Sequence, residues 1–111
     1  MNRGFWDQLN KPIIGLSPMD GVTDAAFRYI TDKYSQPDVL FTEFTSVEGI
    51  AAGADKLLSA FVYHKSPTPI VGQIFGSTPN DFYKSAFVLA ELGFDGIDIN
   101  MGCPVKDVVK L

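Results

Sequence analysis

Four short apolar runs rich in β-branched and aromatic residues punctuate the chain at residues 12–18 (PIIGLSP), 38–44 (DVLFTEF), 69–75 (PIVGQIF) and 94–100 (FDGIDIN). Each is too short for a buried helix and predicts a buried strand. The stretches between them switch to helical spacing. From Thr23, a good N-cap, the segment 24–34 (DAAFRYITDKY) sets Phe27, Ile30 and Tyr34 on one stripe, with charge on the other side, and so predicts an amphipathic helix. Residues 46–60 keep the period through Val47, Ile50, Ala54, Leu57 and Leu58, on to Phe61, with Gly49 and Gly53 as candidate breaks. Thr78 before Pro79, with Asp81 two residues on, predicts a helix start: a capping hydroxyl, a preset φ and a carboxylate near the positive end of the helix dipole. That helix should run to about Leu92, with Phe82, Ala86, Leu89 and Ala90 inward and Gly93 as its stop.

Four buried strands alternating with helices imply an α/β fold in which a parallel sheet is covered by helices outside. A doubly wound sheet would usually carry a glycine-rich phosphate turn after its first strand, and SPMDGVTD has no GxGxxG pattern. A TIM-type (β/α)8 barrel instead puts its chemistry at the C-terminal ends of its strands. The polar and reactive residues here collect at those ends: Pro18, Met19 and Asp20, then Glu43, then Gln73, then Asn100 and Cys103. A full barrel takes about 250 residues, so the 111 residues of this chain are expected to form the N-terminal half of one, with later strands absent. Its two open strand edges predict self-association of the isolated chain.

Composition changes this picture little. The chain is 46% hydrophobic and 20% charged, as for one ordinary globular domain. No run approaches the ~20 apolar residues of a membrane span, and the start has no secretory pattern, so the expectation is a soluble cytoplasmic protein without membrane contact. The single cysteine, Cys103, has no internal disulfide partner. A net charge of −4 without a basic cluster argues, taken alone, against nucleic-acid binding.

Three blocks change it more: SPMDGVTDAAFR after the first run, GQIFGSTP around the third and DINMGCPVKDVV after the fourth. In this order and spacing they resemble the tRNA-dihydrouridine synthases, from about residue 12 to residue 109. The resemblance implies an enzyme in which FMN, reduced by NADPH, passes hydride to C6 of a uridine in tRNA, yielding 5,6-dihydrouridine. It implies that Cys103 is the general acid that protonates C5. An ordinary thiol, with a pKa of about 8.5, is mostly protonated at neutral pH and suits that role. The resemblance places Pro18, Met19 and Asp20 under the flavin ring, Gln73 at its pyrimidine edge and Asn100 on the target uracil. It also implies that the tRNA-binding basic surface lies in later barrel loops and a helical C-terminal domain, beyond this chain, so that the isolated 111 residues are expected to be inactive.

Plainer readings stand beside these. Cys103 can be a small buried hydrophobe, Gln73 can satisfy a neighbouring backbone group, and Asn100 can cap the following loop. Arg28 reads as an i,i+4 partner of Asp24 or Asp32 and His64 as a solvated turn residue, both outside the site. Glu43 can line the pocket but receives no role, and Lys106 is equally a phosphate contact or a solvated charge. Rival functions are an FMN barrel reductase of a free pyrimidine, similar to the dihydroorotate dehydrogenase group, and a non-catalytic gene fragment.

Overall fold

A computed structural model describes residues 4–104. Its sheet is wholly parallel and is built from β1 (Gly15–Leu16), β2 (Val39–Phe41), β3 (Thr45–Ser46), β4 (Ile70–Phe75) and β5 (Gly96–Ile99). β1 pairs with β2, β2 and β3 both pair with β4, and β4 pairs with β5. Because β5 already lies beside Val71 to Ile74 of β4, β2 and β3 must share the opposite edge. They are therefore one expected strand interrupted in the middle. The register runs from Phe41↔Val71 to Thr45↔Ile74, four residues against three, which is a bulge of one residue. In the bulge Thr42 donates its amide to the Val71 carbonyl at 3.0 Å, and its hydroxyl accepts from the Gln73 amide at 3.0 Å. The hydroxyl thus stands in for a missing ladder carbonyl.

Four strand positions remain, each beside its neighbour in sequence. That singly wound order is the order of a β/α barrel, whereas a doubly wound sheet reverses direction at its switch point. The described residues supply four of the eight positions of such a barrel. The helices between them are α1 (Ala25–Ser35), α2 (Val47–Ala51), α3 (Asp55–Leu58) and α4 (Pro79–Glu91), with 3₁₀ turns at Gly4–Gln8 and Ser59–Phe61.

The core lies between β4 and the helices that flank it. Val47, Ile50, Phe61, Ile74 and Leu89 form one buried cluster, with Leu58, Phe82, Val88 and Phe94 packed against it. Gly72 is required there, since a Cβ would stand 2.8 Å from Leu89 Cδ2. Alternation along β4 sends Val71, Gln73 and Phe75 to the other face, where Val71 and Phe5 both approach Gly96 of β5.

Several boundaries differ from expectation for local reasons. β1 shrinks from residues 12–18 to two, because Pro12 and Pro18 have no amide to donate and the Ile14 amide is taken by Asp38 Oδ2 at 2.7 Å. α1 is capped by Asp24, whose Oδ1 accepts from the Phe27 amide at 2.8 Å, and not by Thr23. The Thr23 hydroxyl is already committed to Met19, accepting from its amide at 2.9 Å and donating to its carbonyl at 3.2 Å. The expected apolar face of α1 is turned outward: Phe27, Ile30 and Tyr34 are 42%, 53% and 74% exposed, and Arg28 and Asp32 are the buried positions.

The expected helix over 46–60 splits. Gly53 adopts φ +73° and ends α2, whereas Gly49 stays inside it because Leu57 fills the space a side chain would need. Thr78 occupies the N-cap position of α4, yet its hydroxyl makes no capping bond. A carboxylate from α2 serves that end instead, Glu48 Oε1 accepting from the Ser77 amide at 2.9 Å. These amide contacts, that of Ser77 foremost, hold the Glu48 carboxyl below its ordinary pKa against the opposing effect of desolvation. On α4, Leu89 is buried and Phe82 packs against the core as expected, Ala86 is half-buried, and Ser85 rather than Ala90 completes the inward stripe. Gly93, at φ +86°, stops the helix as expected. No helix among the described residues is long and apolar enough to cross a membrane.

Candidate active site

At the C-terminal ends of β4 and β5 a line of amide and carboxylate groups crosses from one strand to the next. Gln73 pairs in register with Asp98, and the two point to the same face. Gln73 Nε2 donates to Asp98 Oδ2 at 2.5 Å, and Asn100 Nδ2 donates to Gln73 Oε1 at 3.4 Å. Asn100 Oδ1 accepts the Gly102 amide at 3.1 Å, and its own amide donates to the Ile74 carbonyl at 2.9 Å. Asn100 therefore does cap the loop, as its plainer reading holds, and it orients Gln73 as well. The loop leads at once to Cys103, a half-buried free thiol.

Gln73 is only 6% exposed, and an amide so buried must be satisfied. Among the described residues its bonds to Asp98 and Asn100 use one of two amide protons and one of two lone pairs. The hydrogen-bonding capacity of this carboxamide is thus fixed in orientation but not exhausted.

Pro18, Met19 and Asp20 lie elsewhere on the rim, in the turn after β1. Met19 is its hub: its carbonyl accepts the amides of Val22 and Thr23 at 3.0 and 2.9 Å, while its own amide goes to the Thr23 hydroxyl. Two residues on, Gly21, at φ +72°, donates its amide to Glu43 Oε1 at 2.6 Å. The turn after β1 is thereby tied to the bulge between β2 and β3. A cavity of about 340 Å³ opens beside it, and its lining includes Asp20, Glu43, Phe44, Thr45, Lys56 and Phe75. Of the expected site residues, Gln73 and Asn100 touch directly and Cys103 follows on the same loop. The turn holding Pro18, Met19 and Asp20 stands apart from them, with β2 and β3 between.

Beneath this turn lies Arg28, 1% exposed. It does not pair with Asp24 or Asp32 as its spacing suggested. Its Nη1 donates to the Thr23 carbonyl, and its Nη2 to the Val62 carbonyl at 2.6 Å. Burial lowers the guanidinium pKa, while the nearby carboxylates of Glu43 and then Asp24 act to raise it. His64 also departs from expectation. Its Nε2 lies 2.7 Å from Asp32 Oδ2, and Thr68 Oγ1 donates to Asp32 Oδ1 at 2.6 Å. Burial pushes the Asp32 carboxyl upward, but the hydrogen bonds from Thr68, His64 and Ser66 prevail and hold it below its ordinary value. This cluster fastens α1 to the segment entering β4, away from the strand ends that carry the site.

Sequence reading passed over Asp98 and Thr42. The alternation of FDGIDIN, which sets Asp98 and Asn100 on one face of a strand, was the available signal for the first; the second needs a bulge that no residue type announces. Lys106 lies outside the described residues.

Comparison with known proteins agrees with the motifs. The family model for dihydrouridine synthase (Dus) matches residues 15–111. The chain is 43% identical over 110 residues to the "Probable tRNA-dihydrouridine synthase 2" of Bacillus subtilis (strain 168), covering 97% of this chain and 34% of that protein. It is 39% identical over 112 residues to a "Probable tRNA-dihydrouridine synthase" of Staphylococcus aureus (strain COL), covering 99% and 34% respectively. A protein of the same name from Staphylococcus epidermidis is 38% identical over 112 residues, with the same coverage. The chain thus spans about a third of the length of these relatives. With its motifs at the strand ends of a singly wound β/α sheet, the chain belongs to the dihydrouridine synthase family.

Proposed function

We propose that this chain is the N-terminal part of the barrel of an FMN-dependent tRNA-dihydrouridine synthase that uses NADPH as reductant. The observation that carries the reading is the Asp98–Gln73–Asn100 line at the strand ends, which runs directly into the loop of Cys103. The residues fit the flavin group: a pyrimidine edge alternates acceptors with a donor, and Gln73 retains one amide proton and one lone pair to meet it. The turn of Pro18, Met19 and Asp20, pinned by its own hydrogen bonds, offers a rigid backbone surface for the ring. When bound, FMN would take a hydride from NADPH and supply it to C6 of the uracil.

The chain's own residues do the rest. Asn100 presents a carboxamide to the edge of the flipped base, and its bond to the Gly102 amide sets the path of the loop. Cys103 delivers a proton to C5, completing addition across the double bond. Pro104, which follows it, has no amide to donate and stiffens the loop carrying the sulfur.

Basic surface for the tRNA and the cradle for the FMN phosphate are assigned to segments beyond this chain, the phosphate to loops after the seventh and eighth strands of such a barrel. The isolated 111 residues are therefore expected to bind FMN weakly or not at all, to self-associate through their open edges and to be inactive.

The test is product formation by a protein of the relatives' length with NADPH and unmodified tRNA, run beside free orotate. Dihydrouridine in the tRNA and untouched orotate is the expected result. Reduction of orotate alone would replace this function with that of a free-pyrimidine reductase, and reduction of neither would favour a non-catalytic relic.

A further inference from the structure

Glu43 lies between two groups that both bear on the turn after β1. One carboxylate oxygen accepts the Gly21 amide at 2.6 Å. The Glu43 carboxylate also acts electrostatically on the buried guanidinium of Arg28, which supports the turn through the Thr23 carbonyl. The Thr23 hydroxyl closes on Met19 from the other side. Three anchors at alternate residues, Met19, Gly21 and Thr23, thus fix the backbone of residues 19–23, and Glu43 supplies the only one of them that comes from another strand's end. Through Arg28 Nη2 the same assembly reaches the Val62 carbonyl, ahead of β4.

We propose that Glu43 is a positioning residue for the flavin ring. By holding the Gly21 amide, it sets the height and tilt of the Met19–Asp20 backbone on which the ring rests. The inference builds on the flavin reading above and adds a residue to which that reading gave no role. Glu43 does not touch the reacting atoms; it acts through the turn. It also lines the cavity beside Asp20, so water can reach the Gly21 amide if the carboxylate is removed. Loss of Glu43 should therefore release the turn while water satisfies the Gly21 amide, but it also removes a countercharge of the buried Arg28, so the effect on FMN is read against variants of matched stability.

The experiment measures FMN affinity by fluorescence quenching, together with the thermal midpoint of the apoprotein, in the full-length protein and three variants. Glu43→Ala removes the acceptor, Glu43→Gln keeps an oxygen acceptor without the charge, and Asp32→Asn weakens the fold at the cluster remote from the turn. A charge-assisted hydrogen bond corresponds to roughly ten- to hundredfold in affinity. Glu43→Ala is expected to weaken FMN by about that factor, Glu43→Gln to recover most of it, and Asp32→Asn to lower the midpoint with FMN affinity unchanged. Wild-type affinity in Glu43→Ala would overturn the proposal, as would a loss no greater than that of Asp32→Asn at matched stability. Failure of the wild type to bind FMN would overturn the flavin reading itself, and this proposal with it.

Discussion

Cys103 is the residue on which the proposed chemistry turns, and it stands one position after the Gly102 amide held by Asn100. Replacing Cys103 with Ala in the full-length protein should leave reduction of bound flavin by NADPH intact while slowing dihydrouridine formation by roughly 10²- to 10⁴-fold, the usual contribution of a general acid. Stopped-flow absorbance and product analysis separate the two steps, and unchanged product formation would remove the thiol from the mechanism. Asp32 governs a second residue-scale outcome. Its carboxyl titrates below its ordinary value in the fold, so it contributes stability that is complete above the unfolded carboxylate range and is lost as pH falls through the folded value. Acid denaturation should therefore steepen below about pH 4, and Asp32→Asn should flatten that dependence, as read by chemical denaturation at several pH values. Gln73, Asn100 and Cys103 were legible because each sits in a motif at the end of an apolar run. Arg28 and His64 were misread because their partners, Val62 and Asp32, lie 34 and 32 residues away, beyond any local spacing rule. Asp98 became visible only with the register that sets it opposite Gln73.

Elements built on burial were easier to read than those built on helical stripes. The apolar runs marked all four strand positions, because a strand packed on both faces needs an unbroken apolar run. The bulge between β2 and β3 escaped notice, since it depends on the Thr42 hydroxyl replacing a carbonyl. The stripe of α1 was legible as a pattern, but not which way it faces: Arg28 and Asp32 turn inward because carbonyls and hydroxyls satisfy them there, and Phe27, Ile30 and Tyr34 are left exposed. On α4 the decisive contact is Leu89, which is fully buried and fills the space above Gly72 of β4. Leu89→Ala should cost about 2–5 kcal/mol, measured by urea unfolding of the full-length protein. A change of a few tenths would mean that α4 does not seal the core.

For the whole molecule, the four parallel strand positions in sequence order leave β1 and β5 as open edges among the described residues, and the expected barrel architecture follows from that order. The acidic balance of the chain, −4 overall, keeps the proposed recognition of tRNA dependent on surfaces outside it. At this scale the isolated 111 residues should sediment as concentration-dependent oligomers, because open parallel edges and exposed apolar side chains favour self-pairing; a monomer across the concentration range would contradict this. The claim that joins all three scales is that the ends of β1, β4 and β5 form part of an FMN site. Its most direct test is the visible absorbance of the purified protein, taken on the 111-residue chain and on a version of the relatives' length. The account predicts flavin bands from the longer protein and little or none from the shorter. A longer protein that is colourless and cannot be reconstituted with FMN would contradict it.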